Sequence, residues 1–133
     1  MDCKQLLLIC MLGVSLLINN GCPAVLIGAG GAAGAGTYAY VGGEFTSTEQ
    51  ISLERAWEAT KKAVNDLGFT VTRKEKDAYS SEFQLIAYGT GEKKIVIKLK
   101  KQSSTLTEIA IRVGMFGDES LSRSILEKIK GYF

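Results

Sequence analysis

The feature that most limits how this chain folds is a run of 39 residues without a charged side chain, between Lys4 and Glu44. Residues 44–133 contain 28 of the 30 charged residues, whereas nine of the fifteen glycines lie before Glu44. The first part of the chain therefore has the composition of a membrane-associated segment. The remaining 90 residues are enough for one small domain with a single hydrophobic core and leave no room for a second.

The composition disfavours several classes of function. The net charge of +2 is small for a nucleic-acid-binding protein. The chain has no histidine, which removes the commonest general base and every histidine metal site. All three cysteines lie in the first third, so the globular part has neither a disulfide framework nor a four-cysteine zinc site: Cys3, Cys10 and Cys22. We therefore expect no enzymatic activity, no cofactor, no metal and no nucleic-acid partner.

An apolar run of 13 residues, 6–18, suits the hydrophobic part of a signal peptide and is short for a membrane-spanning helix, which needs about 20 residues. Gly21 and Cys22 follow it. A small residue and a cysteine in this position resemble the lipobox of bacterial lipoproteins, in which the cysteine thiol is acylated and the chain is cut before it. The resemblance implies a signal peptide over residues 1–21 and lipidation of Cys22, although Asn19 stands where that motif usually has Leu, Val or Ile. The alternative is a plain N-terminal membrane anchor in which the cysteine has no role.

The glycine-rich segment 24–36 contains a pattern typical of dinucleotide binding, Gly28-x-Gly30-x-x-Ala33. Such glycines let backbone N–H groups approach a pyrophosphate at the start of a helix. A Rossmann unit also needs several βα repeats, and only one long amphipathic helix follows before the sheet residues begin. We therefore do not expect a nucleotide site here.

Two other interpretations of the same segment remain open. Gly30 and Gly34 have the spacing that lets helices approach closely in lipid, which favours a second membrane span over residues 23–41. Glycine also resists ordering, which favours a membrane-proximal tether over residues 22–43, and this is the interpretation we prefer. Two tyrosines near its end suit the water–lipid boundary: Tyr38 and Tyr40.

Alternation and helical periodicity over residues 44–133 predict the order β-α-β-β-β-β-α. Strands are predicted over residues 44–51, 69–76, 79–88, 94–101 and 107–115. One helix is predicted over residues 53–67, with Ser52 as N-cap and Gly68 after its end, and a second between the N-cap Asp118 and Gly131. A meander with one polar and one apolar face predicts a two-layer α+β sandwich, in which an antiparallel sheet carries both helices on one face.

The two central predicted strands show the alternation most clearly. Ile95, Ile97 and Leu99 share one face of the first strand, and four residues share the other: Lys94, Val96, Lys98 and Lys100. Four residues of the second strand are predicted to point inward: Ile109, Ile111, Val113 and Met115. On its outward side, we expect Glu108 to pair with a lysine of the strand before it.

Five lysines cluster on and around one predicted strand: Lys93, Lys94, Lys98, Lys100 and Lys101. Such a cluster can bind the anionic headgroups of lipids. The neighbouring glutamates and the small net charge instead favour an ordinary strand face in contact with solvent. Three aromatic residues have two possible roles: Tyr79, Phe83 and Tyr88. One is to line a cleft between sheet and helix, and the other, which we favour, is to belong to the core.

Two further pairs of residues have chemistry that a site could use. Asp118 and Glu119 are adjacent carboxylates, as in acid–base catalysis or metal binding, but helix capping and the helix dipole explain both. Ser80 and Ser81 have no histidine and no suitably spaced lysine, so we predict them to be ordinary strand residues.

Several segments together resemble a family of small bacterial lipoproteins of unknown function, the DUF3568 group. They are residues 38–44, 52–57, 94–100, 111–119 and 121–129, and the Val-Gly-x-Phe-Gly-Asp-Glu segment is the strongest of them. The family brings no known reaction and no catalytic residues. The element order also resembles the helix-grip domains of outer-membrane assembly lipoproteins, which is a likeness of fold only.

The expected protein is a non-enzymatic, lipid-anchored envelope lipoprotein that serves as a structural or interaction module. Pro23 follows the cysteine, rather than the aspartate associated with inner-membrane retention in Gram-negative bacteria, so the resemblance implies the outer membrane, facing the periplasm. The expected contacts are the membrane, through the N-terminal lipid, and an envelope protein partner that the sequence does not identify. The alternative is a carrier of lipid or another apolar ligand in a sheet–helix cleft.

Overall fold

The structure, a computed structural model, describes residues 37–133. The predicted signal peptide, the lipidation of Cys22 and the glycine pattern of residues 24–36 lie outside the described residues. The strands are β1 (Thr37–Val41), β2 (Glu44–Glu49), β3 (Thr70–Asp77), β4 (Glu82–Tyr88), β5 (Lys94–Lys101) and β6 (Thr107–Val113). The helices are α1 (Leu53–Asp66) and α2 (Glu119–Lys130).

All six strands form one antiparallel sheet in the order β1-β2-β6-β5-β4-β3. The predicted α+β class is confirmed, with both helices against the apolar face of an open sheet. We call the end of the sheet where β1 and β6 finish the upper end, and the end where β1 begins the lower end. In this arrangement β1 and β3 are the two edge strands.

The sheet has one strand more than the sequence predicts, because β1 lies within the segment assigned to the tether. Gly42 and Gly43 join β1 to β2 in a two-residue turn, with φ values of 60° and 84° that suit a type I′ hairpin. The register places Val41 opposite Glu44 across this turn. The expected start of the globular part at Glu44 is therefore corrected to Thr37, because an uncharged segment with alternating tyrosines satisfies a strand as well as a tether.

The core lies between the inner face of the sheet and the two helices. Ile97, Ile111 and Leu85 lie side by side on the three central strands and are fully buried. Val64 of α1 and Ile125 of α2 cover them from the helix layer. Each such side chain contributes about 1.5–3 kcal/mol through removal from water, so this layer is the main source of stability.

The helix ends agree with the sequence in most respects. The Asp118 carboxylate accepts a hydrogen bond from the Leu121 N–H at 2.9 Å, as an N-cap does. Ser52 occupies the predicted N-cap position of α1, but its side chain makes no capping hydrogen bond. Gly68 has a φ of 71°, the left-handed value expected just after a helix.

Two local predictions were wrong. Ser80 and Ser81 belong to the turn between β3 and β4, since β4 begins only at Glu82 and the Asp77 carboxylate accepts hydrogen bonds across the turn. Met115 is 79% exposed, because β6 ends at Val113 and the chain turns outward. Period-two alternation continues past the end of a strand in the sequence, so it marks strand ends poorly.

Candidate functional site

The outer face of the sheet carries charges of both signs. Lys98 Nζ lies 3.4 Å from Glu44 Oε2, on the other side of the intervening strand β6. Glu108 lies opposite Lys100 in the register, although its carboxylate accepts a hydrogen bond from the Gln102 side chain at 3.1 Å. Lys94, Lys98 and Lys100 therefore share the outer face with acidic residues, and this face is mixed rather than basic. Lys93 precedes the strand, and Lys101 lies near Leu53 and Phe83.

The two adjacent carboxylates at the start of α2 have structural partners. The second oxygen of Asp118 lies 3.6 Å from Lys93 Nζ, while the first caps the helix. Glu119 pairs with Arg123 one turn along the helix at 3.0 Å. Within residues 37–133, no group of three or more acidic, cysteine or histidine side chains is arranged to hold a metal ion.

The three aromatic candidates lie in different environments. Phe83 is buried and meets Trp57 edge-on, with ring centroids 5.5 Å apart. The ammonium of Lys76 lies 4.6 Å from the centroid of the Phe83 ring. Tyr79 is fully exposed at the tip of a turn, and Tyr88 is partly exposed at the upper end of β4. The three do not form one cleft, so the prediction of a core role is confirmed for Phe83 alone.

A partly buried polar cluster joins β1, β2 and α2 at the lower end. Ser47 donates a 2.5 Å hydrogen bond to the Glu49 carboxylate, and both residues are buried. Lys130 Nζ lies 3.2 Å from the Tyr38 hydroxyl and 4.0 Å from Glu49. The hydrogen bond to Tyr38, helped by the nearby Glu49 carboxylate, raises the pKa of Lys130. These contacts fasten the last turn of α2 to the edge of the sheet.

Three large apolar side chains protrude at the upper end of the sheet. Val41, Met115 and Phe116 are 77%, 79% and 88% exposed, and we call them the apolar patch. The two loops that carry them touch through backbone: a Cβ atom added to Gly117 would lie 2.3 Å from the carbonyl oxygen of Gly43. A side chain at either glycine would push the loops apart, so this contact holds the patch together.

A groove of about 600 Å³ lies beside the apolar patch, at the upper ends of β5 and β6. Met115 and Val96 form its apolar lining. Three basic residues and one acidic residue give it a net positive charge: Lys93, Lys94, Arg112 and Glu92. The Arg112 guanidinium donates a 2.7 Å hydrogen bond to the Met115 carbonyl, which fixes the loop against the strand. This site was not predicted from the sequence. The available signal was the spacing of Gly114 and Gly117 around an apolar pair, Met115 and Phe116.

A second depression of about 460 Å³ lies at the lower end, between the start of α1 and the β3–β4 turn. Its floor is Leu53 and Phe83, whereas its walls are polar. Two facing wall residues, Lys76 and Glu54, form an ion pair at 3.1 Å. The depression thus offers a small apolar floor inside a charged rim.

The architecture places the chain among small α+β sandwich domains. Residues 5–131 match the family described as a protein of unknown function (DUF3568), and the chain belongs to that family. A search of the curated proteins finds no match. Neither helix within residues 37–133 has the length and hydropathy needed to cross a membrane.

Proposed function

We propose that this chain is a lipid-anchored envelope protein, with Cys22 as the lipidated residue. The single observation that supports the anchor is the apolar run 6–18 followed by Gly21-Cys22, which has the length and ending of a lipoprotein signal. The start of the described sheet at Thr37 leaves a segment of 14 residues after that cysteine, 23–36. A lipid on Cys22 would then hold the domain near a bilayer without any spanning helix.

Metabolic labelling with palmitate tests the anchor in the full chain expressed in a Gram-negative host. Cys22→Ser should abolish labelling and release the domain from the membrane fraction. The matched control is Cys10→Ser, which lies in the predicted signal peptide and should leave both measurements unchanged. Undiminished labelling of Cys22→Ser would contradict the proposal.

We further propose that the domain is an interaction module whose contact surface is the apolar patch with its groove. Exposed apolar side chains clustered beside polar residues are typical of protein contacts. The chain enters the sheet at Thr37, at the lower end, whereas the patch lies at the upper end. A strand of five residues spans roughly 17 Å, so the patch and the attachment point of the tether are separated by the length of the sheet. The patch therefore lies away from the point where the tether joins the domain.

The chemistry of the groove indicates what the partner presents. Lys94 and Arg112 lie beside Met115, so the surface suits an apolar side chain flanked by carboxylates. Lys93 is already paired with Asp118 and contributes less. We therefore expect an acidic, apolar segment of an envelope protein rather than a basic one.

Photo-crosslinking in intact cells tests this surface. A photoreactive phenylalanine analogue in place of Phe116 should give one discrete protein adduct, and Arg112→Glu in the same chain should remove it by reversing the charge. The matched control position is Tyr79, an equally exposed aromatic residue on a turn at the lower end. Equal adducts from both positions, or adducts to lipid alone from position 116, would contradict the assignment.

We propose no catalytic role. Among the described residues, the titratable groups that line the two main depressions are paired or face solvent, and none joins a nucleophile to a base. The buried Ser47 and the half-buried Lys130 are occupied by Glu49 and Tyr38, and neither lines either depression.

The depression at the lower end supports a second candidate function, the carriage of a small apolar ligand. Leu53 and Phe83 offer it an apolar floor between sheet and helix. A fluorescent fatty acid should bind the full chain saturably, and Ser104→Trp at the rim should block binding, whereas Ser124→Trp on the exposed side of α2 should not. Binding that neither saturates nor responds to Ser104→Trp would rule out a carrier.

A further inference from the structure

The outer edge of β1 is a row of backbone groups that no strand within residues 37–133 pairs. Val41 and Glu44 flank the two-residue turn and therefore exchange hydrogen bonds with each other. Because hydrogen-bonding direction alternates along an antiparallel strand, the N–H and C=O groups of Tyr38 and Tyr40 point away from β2. They form a template for another strand.

The strand that carries this template is well ordered. Tyr38 stacks on Phe45 with ring centroids 5.9 Å apart, and Lys130 holds its hydroxyl. The five residues of β1 contain no charge, no proline and no bulge, which are the usual protections of an exposed edge. An uncharged edge that no other strand of residues 37–133 covers is a pairing surface.

We propose that β1 pairs antiparallel with β1 of a second copy of this chain, around a two-fold axis at Ala39. This register places Tyr38 of each copy opposite Tyr40 of the other and keeps all five residues of the strand paired. The outward groups of Tyr38 and Tyr40 then form four hydrogen bonds between the copies. The two sheets become one sheet of twelve strands, with the helices of both copies on the same side.

The sequence of β1 suits this axis. Ala39 would meet its own copy in a non-hydrogen-bonded pair, where Cα atoms approach to about 4.5 Å and a small side chain fits. The two tyrosine pairs lie on the helix side of the sheet, and aromatic cross-strand pairs stabilise a sheet. Such a strand is complementary to itself because no like charges meet. The self-complementarity favours a second copy over an unrelated extended segment, and it does not depend on the lipid anchor.

Disulfide trapping in the membranes of cells that express the full chain tests the axis. Ala39→Cys places two thiols on adjacent non-hydrogen-bonded strands, at a Cα separation within the disulfide range. The matched control is Thr46→Cys, which is opposite Ala39 on the next strand and lies one strand away from the axis. With a mild oxidant, we expect at least about tenfold more covalent dimer from Ala39→Cys, because only that position is self-opposed. The native cysteines are the same in both variants, so these contribute equally to the background.

A second test of the dimer places a charge at the two-fold axis. Light scattering of the detergent-solubilised full chain should give the mass of a dimer, and Ala39→Lys should weaken association at least about fivefold by placing like charges opposite each other. The exposed Lys74→Ala on β3 should leave the mass unchanged. The proposal is overturned by equal trapping of both cysteine variants, by trapping of neither, or by a monomeric native chain. A monomer in which residues before 37 cover the edge of β1 would also overturn the proposal.

Discussion

The two edge strands of this sheet occupy equivalent positions and have opposite chemistry. β3 carries five consecutive charged residues over 73–77, is exposed over most of its length and has a register shift between Val71 and Arg73. β1 carries no charge and keeps a regular register along its five residues. Charge and irregularity on an edge discourage pairing with another chain. The difference indicates that β3 is protected against pairing with another strand, whereas β1 can accept one. We call β3 the closed edge and β1 the available edge.

The same contrast extends to how each edge is attached. On β1, Tyr38 lies flat on the buried Phe45 and is tied to α2 through Lys130. On β3, Lys76 lies over the buried Phe83 and pairs with Glu54 of α1. An aromatic contact holds the available edge, and a charged residue holds the closed one. Both edges therefore rest on an aromatic residue of the neighbouring strand.

Removal of the charge from β3 is expected to have the largest effect. Arg73→Thr, Lys74→Thr and Glu75→Thr together should leave an edge whose remaining charges, Lys76 and Asp77, lie at its lower end. When both edge strands of a chain can pair with other copies, assembly has no end point. Dimers should therefore become long polymers, which sedimentation measures. Addition of Ala39→Lys should stop the growth at pairs. A triple variant with the mass of the native chain would show that charge does not keep this edge closed.

Removal of the aromatic support should destabilise both edges but affect association at only one. Phe45→Ala and Phe83→Ala should each lower the free energy of unfolding by about 3–5 kcal/mol, because each leaves a cavity in the core. Phe45→Ala should also abolish dimers, whereas Phe83→Ala should retain them. Urea titration and light scattering measure the two effects, and equal loss of dimers in both variants would contradict the comparison.

The two lysines that attach the edge strands should contribute differently to the free energy of unfolding. Lys130→Met leaves the buried Glu49 carboxylate without its cation, and should cost about 1–3 kcal/mol of unfolding free energy. Lys76→Met breaks an exposed ion pair and should cost less than about 1 kcal/mol. Both changes keep an unbranched apolar side chain of similar length, so chemical denaturation compares the charges directly. A larger cost at Lys76 would reverse the order of the two attachments.

Acid should loosen the turn beside the closed edge, with the smallest effect of the four. The hydroxyl of Ser80 and the backbone N–H groups of Tyr79 and Ser80 lower the pKa of Asp77 below its ordinary value of 3.8. A lowered pKa means that the carboxylate stabilises the fold fully above pH 3.8 and loses this effect as the pH falls through the folded value. Amide exchange in this turn should therefore accelerate in that range relative to the Gly42–Gly43 turn. Asp77→Asn should remove the difference, and an unchanged ratio between the two turns would contradict the role of the carboxylate.

Much of the fold was predictable because the central strands are strongly patterned. Ile95, Ile97 and Leu99 alternate with lysines, and no other arrangement buries the former while leaving the latter in solvent. The cap at Asp118 and the glycine after α1 were likewise predictable from local chemistry. These elements depend on residues that are close together in the sequence, so local patterns are enough to predict them.

The candidate site and the available edge were not predictable for a different reason. β1 has the composition of the uncharged segment before it, so composition alone assigns it to the tether. Met115 continues the alternation of β6, and only the close approach of Gly43 and Gly117 turns it outward with Phe116. Both features depend on contacts between distant segments, which a single sequence does not contain.

Amide hydrogen exchange along β1 of the solubilised full chain, measured at high and low protein concentration, tests the central contrast most directly. If β1 pairs with a second copy, the outward amides of Tyr38 and Tyr40 should exchange at least about tenfold more slowly at high concentration, since pairing protects them. The amides on the outer edge of β3 should exchange at the same rate at both concentrations. Tyr38 and Tyr40 amides whose exchange does not depend on concentration would contradict the account.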